Sequence, residues 1–286
     1  MIHINAMPMD FEPRKKILPQ LPECVLPGKY TEPEMSESES AFLCGALKTF
    51  HPKKILEVGV AGGASTAIIL QTLEDLGEPY EMHSVDVAEK FYSDNSKPSG
   101  FLATLAKEKI FGKLRGTHEF HLGKVLPQVI DEIGGGIDFV VLDTVHKLPG
   151  EVLDLLAMLP YLKAGSVVVL HDVRLHQINS DRYRECFSNA ALFSAVTAEK
   201  FLNFDKQAPF RYTNIGAFRV SQQTVDHIDN VFLSLILPWK YLPPKEELVA
   251  YLQLYRRFYP AALCEIFQEA INMNAYNFML AQRKNN

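Results

Sequence analysis

A doubly wound α/β sheet of mostly parallel strands is the fold class this sequence predicts, and three observations predict it. First, residues 54–66 (KILEVGVAGGAST) join an apolar run, Ile55, Leu56 and Val58, to a turn holding Gly59, Gly62, Gly63, Ser65 and Thr66. A buried parallel strand that feeds a glycine turn and a helix start leaves backbone N–H groups free to face a ligand. Second, strand-like runs recur and each ends in a carboxylate: 80–86 (YEMHSVD), 137–143 (IDFVVLD) and 166–172 (SVVVLHD). The last two are continuous apolar runs, which suit strands covered by helices on both faces. Third, the intervening chain has helical spacing, as in Val152, Leu155, Leu156, Leu159 and Leu162 within 150–162.

The elements follow in order. Residues 1–35 are rich in proline and polar side chains and are expected to form an irregular arm. Residues 36–50 read as a helix, with Ser36 or Ser38 as N-cap and Phe42, Leu43, Leu47 and Phe50 on one face. This helix either flanks the ligand cleft or only covers the sheet edge. The strand ending at Val58 and its turn lead into a helix over 65–76. After Asp172, a helix is expected over 189–204 and a strand over 214–220 (NIGAFRV). Three helices are then expected, over 222–237, 245–259 and 261–278, separated by Pro238, Pro243, Pro244 and Pro260. The expected organisation is an arm (1–35), a catalytic domain (36–221) and a helical C-terminal cap or dimerisation extension (222–286). The extension is aromatic, with Phe232, Trp239, Tyr251, Tyr255, Phe258, Tyr259, Phe267 and Tyr276. Such a stripe reads as core or subunit contact before it reads as a substrate box.

Ligands of open parallel sheets bind outside the carboxyl ends of the strands, so Glu57, Asp86, Asp143 and Asp172 are expected to surround one cleft. The turn is a poor match to the G-x-G-x-x-G of dinucleotide sites, because Ala61 stands two after Gly59 and the next glycines are adjacent. Asp86 lies about one βαβ unit beyond Glu57, where an ionised carboxylate can accept from both hydroxyls of a ribose. The plainer reading of Asp86 is a solvated acid at a strand end.

The order Glu57-x-Gly59-x-x-x-Gly63-x-Ser65 resembles motif I of the class I S-adenosylmethionine (SAM) dependent methyltransferases. It is similar in particular to the O-methyltransferase branch that includes the catechol and caffeoyl-CoA enzymes. The run Asp138-Phe-Val-Val-Leu-Asp143-Thr-Val-His146, followed by Leu162-Lys-Ala-Gly165-Ser-Val-Val-Val-Leu-His171-Asp172, resembles a bacterial branch of that class written D-x-x-x-x-D-G-x-H and L-x-x-G-G-x-x-x-x-H-D. That branch is distantly similar to macrocin O-methyltransferase and cephalosporin hydroxylase-like proteins. The likeness covers about 36–220, with two departures: Thr144 replaces a glycine, and Ala164-Gly165 replaces Gly-Gly.

The resemblance implies a Rossmann-like, seven-stranded sheet with a late antiparallel strand at 214–220. It implies SAM as cofactor, with Glu57, Gly59, Gly63, Ser65, Thr66, Asp86 and Asp143 around it and Lys124 near the adenine. It also implies a small hydroxylated acceptor, such as a sugar unit of a glycan or a secondary metabolite. Two ways of activating the acceptor hydroxyl stay open. Asp143 and Asp172, with His171 or His146, would hold a divalent metal, and the positions of the two acids match metal carboxylates of catechol-type enzymes. Val173 stands where those enzymes add an Asn or a second acid. Alternatively, His146 or His171 acts as general base without metal. Histidines at strand ends also serve as packed, hydrogen-bonded residues.

Composition restricts the alternatives. A net charge of -5 gives no electrostatic case for a nucleic-acid partner. The first residues, MIHINAMPMDFEPRKK, contain no signal-type apolar core, and no apolar run reaches membrane-spanning length. The four cysteines, Cys24, Cys44, Cys186 and Cys264, are widely spaced, with no C-x-x-C pair, and read as reduced thiols of a cytoplasmic protein. Two other functions remain: a non-catalytic SAM-binding or assembly protein, and an NAD-dependent oxidoreductase, which the turn at 59–63 disfavours.

Overall fold

In the computed structural model, which describes residues 4–21, 35–177, 181–204 and 212–285, strand β2 (Lys54–Val58) lies between β5 (Ile137–Leu142) and β3 (Glu81–Asp86). Strand β4 (Thr117–Leu122) forms the edge beyond β3. On the other side β6 (Leu162–His171), β8 (Tyr212–Arg219), β7 (Glu199–Phe204) and β1 (Ile4–Asn5) complete the order β1-β7-β8-β6-β5-β2-β3-β4. All pairs are parallel except those of β8, which runs antiparallel to β6 and β7. The expected doubly wound sheet with a late antiparallel strand is present, with eight strands in place of seven.

The central strands show why their sequences are continuously apolar. Ile55, Phe139, Val141, Val167 and Val169 pack against Phe42, Leu43 and Leu47 of α2 (Glu37–Phe50) and Ile69 and Leu70 of α3 (Ala64–Leu76). Their neighbours Leu56, Val140, Leu142, Val168 and Leu170 face the opposite layer, with Val152, Leu155 and Leu156 of α6 (Gly150–Met158). Strand side chains alternate between faces, so two helical layers require apolar residues at both parities. Helix α2 begins at a capping box, in which Ser36 N donates to Glu39 Oε2 at 2.6 Å and Glu39 N donates to Ser36 Oγ at 3.3 Å.

Two expectations are corrected. The arm is not wholly irregular: Ile4–Asn5 adds the edge strand and Glu12–Ile17 forms α1, whose Ile17 is buried with Ala67 and Ile68 of α3; residues 1–3 and 22–34 of the arm lie outside the described residues. The helix over 189–204 stops early, as α7 (Ser188–Ala195), and its second half becomes β7. Residues 199–204 are needed there to pair with β8, and Val196 and Thr197 are β-branched residues that suit the break. The sequence pattern leaves three elements unassigned, α4 (Phe101–Ala106), α5 (Ile130–Ile133) and β4, whose THEFHL is too polar for the apolar-run criterion.

Beyond β8 lie α8 (Gln222–Asp226), α9 (Asp229–Ser234), α10 (Lys245–Phe258) and α11 (Ala261–Asn285). The expected first tail helix is thus two short ones. Phe232, Trp239, Tyr255 and Phe267 are buried in the same apolar cluster as α6. Tyr251 Oη donates to Asp154 Oδ1 at 2.5 Å, Tyr255 Oη to the Leu153 carbonyl at 2.7 Å and Tyr259 Oη to the Leu156 carbonyl at 2.7 Å. This spacing of four puts three hydroxyls on one helical face, against α6. Cys44, Cys186 and Cys264 are free, buried thiols, and Cys24 lies outside the described residues.

Candidate active site

The turn after β2 is held by backbone contacts that only glycine permits at two positions. Gly59 has φ +95°, and a Cβ there would lie 1.8 Å from the Asp143 carbonyl oxygen. Gly63 has φ +85°, with Gly100 Cα 2.7 Å from where its Cβ would sit. Beneath the turn Glu57 is completely buried and accepts from Ser65 Oγ at 3.0 Å, Thr66 Oγ1 at 2.7 Å and Ser84 Oγ at 2.7 Å. Burial pushes its carboxyl up to about 7, against the three hydroxyls, with Asp143 adding to the rise. The expectation that Glu57 faces the cleft is therefore corrected. Glu57, Ser65 and Thr66 tie β2 and β3 to the start of α3, because their polar atoms are spent on one another.

Asp86, at the end of β3, organises the opposite side of the turn. Its Oδ2 accepts from Val60 N at 2.8 Å and Ala61 N at 3.0 Å, and its Oδ1 from Ala88 N at 2.8 Å. An ionised carboxylate offers about four lone-pair sites, so acceptor capacity remains for a ligand. Asp86 lines a cavity of about 530 Å³ together with Gly59, Val60, Lys124, Leu126 and Asp143. The far wall comes from α6 and the C-terminal helices, through Leu153, Asp154, Tyr241, Pro244, Glu247 and Tyr251. Tyr251 is therefore both core and cavity wall. Burial pushes Asp154 up to about 7, opposed by the hydrogen bond from Tyr251.

Asp143 also belongs to a second group, at the ends of β5 and β6. Among the described residues, Asp143, His146 and Asp172 each offer one ligand atom, and these atoms lie within 4.8 Å of one another. His146 Nε2 is 3.3 Å from Asp172 Oδ2, and its Nδ1 is 3.7 Å from Asp143 Oδ1. His146 and Asp172 both adopt left-handed backbone, φ 60° and 58°, a strain of the kind found at functional sites. His146 N donates to the buried Glu151 Oε1 at 2.6 Å, which holds that turn, and Asn214 Nδ2 donates to Asp172 Oδ1.

His171 takes a different position from the one its motif suggests. Its side chain is only 4% exposed, with Nδ1 3.1 Å from Asp143 Oδ1 and Nε2 3.4 Å from Glu39 Oε2. Burial favours the neutral ring, but Asp143, Glu39 and Asp172 outweigh it and raise His171 well above the ordinary histidine range. Burial would raise Glu39 in turn, and His171 and Ser36 hold it down to about 2. Asp143 is lowered despite burial, through His171 and His146, whereas burial and the Asp143 charge raise Asp172. Both ring nitrogens of His171 are thus turned to carboxylates, and His171 is not among the three residues whose ligand atoms converge; His146 takes that place beside Asp143 and Asp172, which departs from the expected assignment of His171 as ligand or base.

The donor set fits a divalent cation. Asp143 Oδ1, His146 Nδ1 and both ring nitrogens of His171 are buried side-chain atoms with no hydrogen-bond partner, and two carboxylates with an imidazole suit Mn, Fe, Co or Zn better than Mg. The sequence pattern does not point to Glu39, Glu151, Asn214, Asp154 or Tyr241. Only Glu39, three residues after the N-cap Ser36, carried a local signal, and that signal was a capping one.

A glycine turn and a carboxylate at adjacent strand ends, with a cavity outside them, define the ligand crevice of a doubly wound α/β protein. Residues 56–173 match the model of a family described as a methyltransferase domain. Among solved structures, the chain is similar to an O-methyltransferase from Bacillus cereus in complex with SAH, with 18% identity over 74% of this chain and 92% of that one and a TM-score of 0.46. It is also similar to the O-methyltransferase TomG of Streptomyces achromogenes, involved in tomaymycin synthesis and solved with SAM, with 19% identity over 74% and 91% and a TM-score of 0.45. The SAH-bound methyltransferase PaMTH1 of Podospora anserina matches with 14% identity over 73% and 88% and a TM-score of 0.47. A search of curated proteins found no match.

Proposed function

We propose that the protein is a SAM-dependent O-methyltransferase acting on a small hydroxylated acceptor, a sugar unit or a secondary metabolite. The observation that carries this reading is the shared position of Asp143, which lines the cavity beside Gly59 and Asp86 and also belongs to the Asp143, His146 and Asp172 group. A cofactor in the cavity and an acceptor at that group would meet at one residue. The cavity volume is within the range of small-molecule sites.

SAM supplies an electrophilic methyl group on a sulfonium for in-line displacement. The chain's own residues do the rest. Asp86 accepts from a ribose hydroxyl with the one lone pair that the loop amides leave free. Leu126, Val85 and Leu153 give the cavity apolar walls, and the C-terminal segment at 241–251 shields it from water, which supports reading the extension as a cap. A cation held by Asp143, His146 and Asp172 would lower the pKa of the acceptor hydroxyl. Glu151 fixes the His146 backbone, and His171 with Glu39 fixes Asp143 from behind.

The deciding experiment is isothermal titration with SAM and, separately, with NAD. Saturable SAM binding without NAD binding is expected. NAD binding without SAM binding overturns the reading. SAM binding with no transfer to any hydroxylated acceptor, and no effect of Asp143→Asn on methylated products in cells, would instead favour an assembly protein.

A further inference from the structure

We propose that the edge of the sheet, remote from the Asp143 group in sequence, carries a separate binding site for a divalent transition-metal ion, built by His83 of β3 with Glu119 and His121 of β4. Among the described residues these three form a second group whose ligand atoms all lie within 4.8 Å of one another. The register explains the convergence. Strands β3 and β4 are parallel, with His83 opposite Glu119 and Val85 opposite His121, so His83, Glu119 and His121 project from the same face.

The distances match coordination. His83 Nδ1 and His121 Nε2 are 3.0 Å apart, and with each nitrogen about 2.05 Å from a shared ion this separation subtends about 94°. Opening it by about 0.3 Å gives a tetrahedral angle. Glu119 Oε2 is 4.0 Å from His83 Nδ1, and its side chain is 60% exposed, so it is free to swing onto an ion.

The tautomers are also set. His83 Nε2 lies 2.8 Å from Glu81 Oε1, which makes Nε2 the protonated nitrogen and leaves the Nδ1 lone pair directed at His121. A carboxylate behind a histidine is the arrangement that orients imidazole ligands on metals. Glu81 is itself anchored by Lys54 Nζ at 2.8 Å. Both rings are largely buried while Glu119 is exposed, which gives two fixed ligands, one mobile ligand and an open path from solvent.

Two imidazoles and one carboxylate select Zn²⁺, Co²⁺, Ni²⁺ or Cu²⁺ over Mg²⁺ or Ca²⁺. The ion would clip the polar edge strand to its neighbour, at a point where the following residues, Asp86 on one strand and Lys124 beyond the other, line the cavity. With no ion, the same 3.0 Å contact serves as a hydrogen bond between the two rings.

The test is Zn²⁺ titration by calorimetry, with Co²⁺ visible absorption as a second readout, on the full chain and on His121→Gln, Glu119→Gln and Asp172→Asn. His121→Gln should lose one Zn²⁺ equivalent relative to the unmodified protein, together with its imidazole-bound Co²⁺ spectrum. Glu119→Gln should weaken that same equivalent about tenfold or more. Asp172→Asn, at the other group, should leave it in place. Zn²⁺ should raise the Tm of the unmodified protein and not that of His121→Gln. Equal Zn²⁺ stoichiometry in the unmodified protein and His121→Gln, or none in the unmodified protein, overturns the proposal. Should His121→Gln fail to fold, Glu119→Gln decides alone, since its side chain is on the surface: unchanged Zn²⁺ affinity there overturns the proposal.

Discussion

Asp86 serves the loop and, in the proposed function, the cofactor, and substitution can separate the two roles. Replacement by alanine removes the acceptor of three backbone N–H groups, those of Val60, Ala61 and Ala88. Val60 is buried, whereas Ala61 and Ala88 are partly exposed, so water can replace two of the three partners. One buried unsatisfied donor and two weakened bonds predict a loss of about 2–4 kcal/mol for Asp86→Ala. That loss lowers Tm by roughly 4–10 °C in a chain of this size. Weak cofactor binding in Asp86→Ala would then report a damaged loop as much as a lost contact. Asp86→Asn is the sharper variant. Its carbonyl oxygen can keep the Val60 and Ala61 donors, and only the Ala88 bond is lost, at about 1 kcal/mol. An amide oxygen that serves both loop donors has no lone pair left for a ribose hydroxyl, so SAM affinity should fall about 10–100-fold, or about 1.4–2.8 kcal/mol. Calorimetric titration with SAM and a thermal melt on the same sample measure both quantities. Unchanged SAM affinity in a folded Asp86→Asn protein would refute the ligand role and leave Asp86 as a loop residue alone.

Four further outcomes follow from the same geometry. Glu57 has a folded pKa near 7, above its unfolded value of about 4.3, so the folded state binds more protons between these values and stability falls as pH rises through that window; the loss is roughly 3–4 kcal/mol, and in urea unfolding at pH 5 and 7 Glu57→Gln should abolish this component. Glu39→Gln unpairs the buried His171 and should cost about 3–5 kcal/mol at pH 7; because Glu39 is held at about 2, the difference from the unmodified protein should persist down to about pH 4 and shrink towards pH 2, and a constant difference across that range would count against the ion pair. Tyr251→Phe removes the donor to buried Asp154 and should cost about 1–3 kcal/mol, read as a lowered denaturation midpoint. Chelation of divalent ions, or Asp172→Asn, should lower methyl transfer at least about 100-fold with SAM binding retained; equal turnover with and without chelator would move the acceptor chemistry to His146 as general base.

The strands most easily read from the sequence are those buried on both faces, because residues 139–142 (FVVL) and 167–170 (VVVL) leave no polar residue to obscure the pattern. The Gly59 turn was legible for a related reason: a backbone passing within van der Waals contact of the Asp143 carbonyl leaves one residue type at that position. Edge strands lacked that signal. THEFHL alternates exposed and partly exposed positions up to the buried His121, and EKFLNF begins four residues after a helix ends, so neither offered an apolar run. The edge strand Ile4–Asn5 depends on a pairing partner far away in the chain, Glu199–Phe204, and no local pattern encodes such a pairing.

The site residues divide along the same line. Asp86, Asp143 and Asp172 were visible because they terminate strands, and strand termini share an edge in any parallel sheet. What the sequence could not rank was His146 against His171, since both stand beside an acid in a motif. The decision comes from Glu39, more than a hundred residues upstream on α2, whose carboxylate lies 3.4 Å from His171 Nε2. That second carboxylate encloses both ring nitrogens of His171 between acids, and leaves His146, on strained backbone, as the imidazole grouped with Asp143 and Asp172. The same logic applies at the sheet edge, where Glu81 behind His83 directs a lone pair outward instead of consuming it, so that one helper carboxylate silences a histidine and another exposes one.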